Sequence, residues 1–148
     1  MRHLVGDVED GLLYADDMAT DDVYVLNLRS GKASKLADTD NTPNTIDLTP
    51  NGRVLYVSNR GANGENYNLP GPEWGSVLAI DTATGKVLDA IVGGNQTTGL
   101  DVSPDGLLLA FSDFLDNRVS VYAVPEYEVL ASGGGGRAVA HLAELDKG

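Results

Sequence analysis

Residues 100 to 114 read LDVSPDGLLLAFSDF, and residues 46 to 60 read IDLTPNGRVLYVSNR. The same pattern of apolar residues, a four-residue turn and a second apolar run is thus written twice in one short chain. Aligning Pro50-Asn51-Gly52 with Pro104-Asp105-Gly106 gives a spacing of 54, and Gly31-Lys32 against Gly85-Lys86 gives 54 again. The next unit is shorter, because Val77 in VLAIDTATGK and Val121 in VYAVPEYEVL lie 44 apart. The difference of 10 is assigned to extra residues in GANGENYNLPGPEWG, 61 to 75. A period near 44 residues is in the blade-sized class of repeat.

Within each unit the runs are too short for amphipathic helices. They are rich in β-branched, aliphatic and aromatic residues and are bounded by Gly, Pro, Asn and Asp, which is the signature of strands. The second unit predicts strands at 45–49, 53–59, 76–81 and 86–92, and the third at 98–103, 107–113, 118–124 and 127–131. In TPNG and SPDG, proline presets φ at the second turn position and glycine accepts the backbone conformation that a side chain resists. These are hairpin devices, so neighbouring strands run antiparallel. Residues 1–38 form a first unit, with Val23, Val77 and Val121 at matching positions. After the glycine run 133–136, a connector, HLAELDKG at 141–148 resembles the first strand of a further unit. The expected architecture is all-β: three four-stranded antiparallel blades, about 1–38, 39–92 and 93–132, and an extra strand at about 137–148.

Composition narrows the function. The 148 residues carry 10 Lys and Arg against 22 Asp and Glu, a net charge of −12, which repels phosphate backbones and anionic lipid surfaces. Nucleic acid and membrane are therefore excluded as expected partners. The absence of cysteine removes disulfides and thiolate metal sites from consideration. No run of about 18 apolar residues is present to cross a bilayer. Any export signal is expected upstream of residue 1.

PNGRVLYVSNRG, GSVLAIDTATGKVLDAIVGGN and DVSPDG resemble the YVTN family of β-propeller repeats, whose signature stands here as Tyr56-Val57-Ser58-Asn59. The resemblance implies four-stranded blades around a central channel, and it suggests a periplasmic or extracellular location. It leaves chemistry open, because the motif residues are structural. Two departures stand out: the long insertion in the second unit, and Pro125-Glu126-Tyr127-Glu128 where the third unit lacks the Thr-Gly turn.

Three blades do not close a ring, since closed propellers use four to eight. The chain is therefore expected to be a segment of a larger propeller or to join with copies of itself, two chains giving six blades. Loops on one face of such a scaffold concentrate binding residues. That face is expected to carry Asn59, Arg60, Glu65, Tyr67, Glu73 and Trp74 in and beside the insertion, Asn95, Gln96 and Thr98 from the next blade, and Asp113 and His141. Asn44, Thr98 and His141 are expected at equivalent positions at the start of the innermost strands. The insertion offers amides, carboxylates and aromatic faces suited to a sugar or a peptide, although Trp74 could equally cover a blade edge. Asp7, Asp47, Asp101 and Glu144 recur once per unit and are expected to bond turn amides rather than line an acidic channel. His3 and His141 lack the spaced partners of a metal site. DDMATDD, 16–22, lacks the spacing and glycine of a calcium loop. No cofactor, metal or catalytic set emerges. The function expected is a non-catalytic module recognising a small polar ligand or protein partner. The alternative is a propeller enzyme, a lactonase-like hydrolase or a dehydrogenase partner subunit, with a metal on the same face.

Overall fold

The computed structural model describes residues 1–133 and the backbone of 141–146. Among the described residues, twelve strands form three antiparallel four-stranded sheets. The first contains β1 (Leu4–Asp7), β2 (Leu12–Asp17), β3 (Asp22–Asn27) and β4 (Ala33–Asp38). The second contains β5 (Pro43–Leu48), β6 (Val54–Asn59), β7 (Ser76–Asp81) and β8 (Val87–Val92). The third contains β9 (Thr97–Val102), β10 (Leu108–Asp113), β11 (Arg118–Ala123) and β12 (His141–Asp146). A short helix, α1 (Tyr127–Ala131), links β11 to β12. The chain is a partial β-propeller of three blades.

The turn chemistry repeats in the two clearest blades. Thr49 Oγ1 donates to Asn51 Oδ1 at 2.7 Å, and Ser103 Oγ donates to Asp105 Oδ1 at 2.6 Å. The same acceptors take the N–H groups of Arg53 and Leu107, while Gly52 and Gly106 adopt φ near +70°. These paired bonds satisfy the turn's own polar groups and fix where each second strand begins.

Blades pack face to face through two apolar layers. Tyr14 and Val23 of the first blade meet Ile46, Leu55, Val57, Leu78 and Ile80 of the second. On the other side, Val54, Tyr56, Val77 and Ala79 meet Leu100, Val102, Leu109 and Phe111 of the third. Strand β6 is buried along its whole length because both of its faces are covered by neighbours. The second and third blades also bond directly: Asp47 Oδ2 on β5 accepts from Val102 N at 2.7 Å, and Ser58 Oγ on β6 donates to the Thr98 carbonyl at 2.5 Å.

Among the described residues, the two outer faces lack such cover. Alternation along the strands puts Leu4, Leu13 and Leu26 on the far side of the first blade, and Leu108, Ala110, Val119 and Val121 on the far side of the third. Leu4 and Leu108 are 55% and 40% exposed, whereas Ile46 and Val54, their counterparts in the middle blade, are buried.

The structure corrects four expectations. Residues 127–131 are helix α1, not a strand. The fourth strand of the third blade is instead β12, which pairs with β11, so 141–146 does not begin a further unit and His141 lies on an outer strand opposite Tyr122. Val121 does not match Val77. Val77 pairs with Ser58 and Val119 pairs with Ser112, so Val119 is the counterpart. The spacing there is 42, and the insertion accounts for 12 residues. Finally, Asp7 pairs with Leu12, while Asp47 pairs with Tyr56, two places further into the hairpin. Asp7 therefore belongs to its turn, where its carboxylate accepts from Asp10 N at 3.2 Å. The Asp-per-unit pattern on the inner strand reduces to Asp47 and Asp101, because Glu144 lies on β12. Most of the glycine run, from residue 134, falls outside the described residues.

One glycine fixes how closely two blades approach. Gly85 has φ +73°, and a Cβ there would lie 1.9 Å from the Leu36 carbonyl oxygen in the first blade. Gly85→Ala is expected to cost roughly 1–3 kcal/mol, since it adds left-handed strain and a backbone clash that only separation of the blades relieves. Denaturant titration checks this.

Candidate ligand-binding face

The loop joining β6 to β7 leaves the sheet at Asn59 and returns at Ser76, and it rises beside the 39–42 connector from the first blade. Its base is fastened by backbone bonds: Arg60 N to the Thr42 carbonyl at 2.9 Å, Gly61 N to the Asn41 carbonyl at 3.1 Å, and Gly75 N to the Gly94 carbonyl at 2.7 Å. Between loop and connector lies a cleft of about 300 Å³ lined by Asp40, Asn41, Gly61, Glu73, Trp74 and Ser76. Trp74 forms an exposed wall, with 68% of its surface open to solvent.

The polar side chains of this cleft are held in place. Glu73 Oε2 accepts from Asn41 Nδ2 at 2.6 Å and from Ala62 N at 3.0 Å, and these bonds hold its carboxyl below the ordinary glutamate range. Ser76 Oγ donates to Asp40 Oδ2 at 2.5 Å, and Asn59 Nδ2 donates to Ser76 Oγ at 3.3 Å. Each carboxylate thus uses one oxygen for the scaffold. Among the described residues neither Asp40 nor Glu73 has an ion-pair partner.

The remaining expected site residues divide by environment. Asn59 is fully buried at the end of β6, with Oδ1 lacking a partner. Gln96, in the left-handed region at φ 59°, is buried; its amide donates to the Tyr67 carbonyl, and its oxygen accepts from Arg60 Nη2. Tyr67 itself is exposed, as is Glu65. Asn95 is clamped by Asp116, through N to Oδ2 at 2.8 Å and Nδ2 to Oδ1 at 2.7 Å. Thr98 Oγ1 lies 3.4 Å from Ser112 Oγ. Asp113 is 1% exposed, and both its oxygens are occupied. Oδ1 accepts from Gly94 N at 2.8 Å and Thr97 Oγ1 at 2.6 Å, while Oδ2 faces Arg118 Nε at 3.0 Å and Nη2 at 2.9 Å.

The structure therefore gathers Glu73 and Trp74 into one cleft and turns Asn59, Gln96, Asn95 and Asp113 into its supporting frame. Sequence reading did not single out Asp40, Asn41 or Ser76. The available signal was the acidic pair around Thr39 in ADTDN, next to the insertion in space. Among the described residues, no three His, Asp or Glu side chains are grouped to hold a metal ion.

A buried carboxylate elsewhere gives a pH-dependent prediction. Asp89 on β8 faces the layer between the second and third blades; its Oδ2 is buried without a partner, and burial raises its pKa. A carboxyl raised in the folded state favours folding when protonated, and that contribution is lost as pH rises through the folded pKa. Asp89→Asn is thus expected to match the wild type at pH values below the ordinary aspartate range and to exceed it in stability towards neutrality. Thermal melts across that pH series check the crossover.

No family model matches the chain. It is 43% identical over 123 residues to Antigen Lp49 of Leptospira interrogans serogroup Icterohaemorrhagiae serovar copenhageni (strain Fiocruz L1-130), covering 82% of this chain and 27% of that protein. The chain thus spans about a quarter of that relative's length. Among solved structures it resembles Kuenenia stuttgartiensis hydrazine synthase, with TM-score 0.68, 21% identity, and 82% of this chain and 32% of that chain covered. It also resembles a chain of the nidogen/laminin complex, with TM-score 0.68, 17% identity and coverage of 98% and 46%. The β-propeller domain of Myceliophteria thermophila Cps50 (Swd1) follows at TM-score 0.66, 15% identity and coverage of 84% and 36%. At these identities the structural likenesses establish the propeller fold alone.

Proposed function

We propose that this chain is a recognition segment of a β-propeller, binding a small polar ligand or an exposed polar group of a partner protein in the cleft beside Trp74. The observation that carries the reading is that cleft: an exposed indole next to two carboxylates, each fixed through one oxygen and free at the other. An aromatic face offers stacking area at small entropic cost, and the fixed oxygens orient donors on the ligand.

Trp74 is the sole tryptophan, so its fluorescence reports on the cleft alone. Titration with methyl glucoside and with N-acetylarginine amide is expected to shift or quench that emission for at least one of them. Glu73→Gln is expected to weaken the responding probe about tenfold, the loss of one charge-assisted hydrogen bond. Unchanged emission with both probes, or equal responses in Glu73→Gln, counts against the reading.

We also propose that the open faces of the first and third blades are covered in the functional assembly, by further blades of a longer chain or by a second copy. The length of the leptospiral relative supports the longer chain. The 148-residue piece is then expected to self-associate or to unfold at low denaturant. Light scattering that finds a stable 15.5 kDa monomer at high concentration would contradict it.

A further inference from the structure

Most hydrogen-bond donors of the Trp74 cleft are used within the protein. Ser76 gives its single hydroxyl hydrogen to Asp40 Oδ2 at 2.5 Å, and Asn41 turns its amide to Glu73 Oε2 at 2.6 Å. The N–H groups of Gly61 and Ala62 go to the Asn41 carbonyl and to Glu73 Oε2. The second oxygens, Asp40 Oδ1 and Glu73 Oε1, accept no hydrogen bond among the described residues, and both side chains are exposed. Among those residues, no lysine or arginine lines the cleft to neutralise them. The bonds that Glu73 receives hold its carboxyl below the ordinary glutamate range, so it stays charged well into acid.

The two carboxylates stand on different segments, Asp40 on the 39–42 connector and Glu73 on the β6–β7 loop, with the exposed Trp74 indole next to Glu73. Gly61 draws the limbs of that loop together: at φ +80°, a Cβ there would lie 2.8 Å from the carbonyl oxygens of Glu73 and Trp74. The wall of the cleft is therefore braced against the base of its own loop. A sugar hydroxyl both donates and accepts, and a cleft rich in acceptors answers only half of it. A guanidinium only donates, through five N–H groups in a planar fork that meets carboxylate oxygens and stacks on an aromatic face. Taking the cleft as the recognition site proposed above, we infer that its ligand is a guanidinium, stacked on Trp74 and shared between Asp40 Oδ1 and Glu73 Oε1. An arginine side chain of a partner protein and a free small guanidine both supply that group.

N-acetylarginine amide and N-acetylcitrulline amide form the test pair, because they share size, planarity and capped ends and differ in charge. The arginine probe is expected to quench Trp74 emission and, by calorimetry, to bind at least tenfold more tightly than the citrulline probe, with affinity falling as sodium chloride rises. Asp40→Asn and Glu73→Gln each keep an acceptor oxygen for the scaffold bonds. Both are expected to melt with the wild type, to bind the arginine probe about tenfold more weakly and to leave citrulline binding unchanged. Trp74→Leu is expected to weaken both probes by calorimetry. Methylguanidine separates the sources: binding tighter than that of the capped arginine supports a free guanidine, and weaker binding supports an arginine side chain. Equal affinity for the arginine and citrulline probes overturns the inference, as does a preference for arginine that survives in both carboxylate variants. Methyl glucoside binding more tightly than the arginine probe overturns it while leaving the recognition reading intact. Silence of all four probes overturns both.

Discussion

Asp113→Ala is expected to destabilise the chain by roughly 3–5 kcal/mol, lowering the melting temperature by on the order of 10 °C. The carboxylate is buried, and its two oxygens serve four donors from three segments: Gly94 N, Thr97 Oγ1, and Nε and Nη2 of Arg118. Removing it takes the shared acceptor from two buried donors and leaves the partly buried Arg118 guanidinium facing Asp116 Oδ2 at 4.0 Å, which costs more than one average hydrogen bond. Asp113→Asn retains one acceptor oxygen for Gly94 and Thr97 and is expected to lose about half as much. Chemical denaturation of both variants checks the ordering. Melting within a degree of the wild type for Asp113→Ala would show that the residue is free for another use.

Leu130→Ala is the second large effect, at about 2–5 kcal/mol. Leu130 projects from α1 and is 1% exposed, packed into the layer that contains Val54, Tyr56, Leu109 and Phe111. The helix is fastened nearby: Tyr127 Oη donates to Asp81 Oδ2 at 2.6 Å, and the Arg53 guanidinium lies 3.5 Å from the centre of the Tyr127 ring. Truncation leaves a cavity between two blades that backbone constraints keep from collapsing. Had 127–131 been an outer strand at a blade edge, the same change would cost little. Equilibrium unfolding therefore distinguishes the two placements.

The turns made the blades legible. Thr49-Pro50-Asn51-Gly52 and Ser103-Pro104-Asp105-Gly106 specify the same hydrogen-bonded turn, and both sides of each turn alternate as half-buried strands must. The exit of the third blade was not legible for a physical reason. VLAI and VYAV remain in phase when slid by two residues, because side-chain direction in a strand has period two, so Val121 and Val119 both satisfy the pattern. Tyr127-Glu128-Val129-Leu130 likewise reads as a strand by residue type. Its helical state comes from tertiary context, with Leu130 buried between blades and the true fourth strand supplied by 141–146. At the candidate face, the insertion and Trp74 stood out because they interrupt the repeat. That Gln96, Asn59 and Asp113 point inward could not be read, since polar residues that brace loops have the same identities as polar residues that bind ligands.

The proposed recognition role needs the β6–β7 loop as one wall of the Trp74 cleft, and replacing residues 62–73 with an Asn-Gly turn tests this most directly. Shortening the loop changes closure entropy only by roughly 0.6 kcal/mol per halving, so the blades are expected to fold and melt within a few degrees of the parent. The response of Trp74 emission to the probe that binds the parent is expected to vanish, because Glu73 and the loop wall are gone while the indole remains as reporter. A loop-deleted chain that folds and still binds that probe with the parent's affinity would contradict the account.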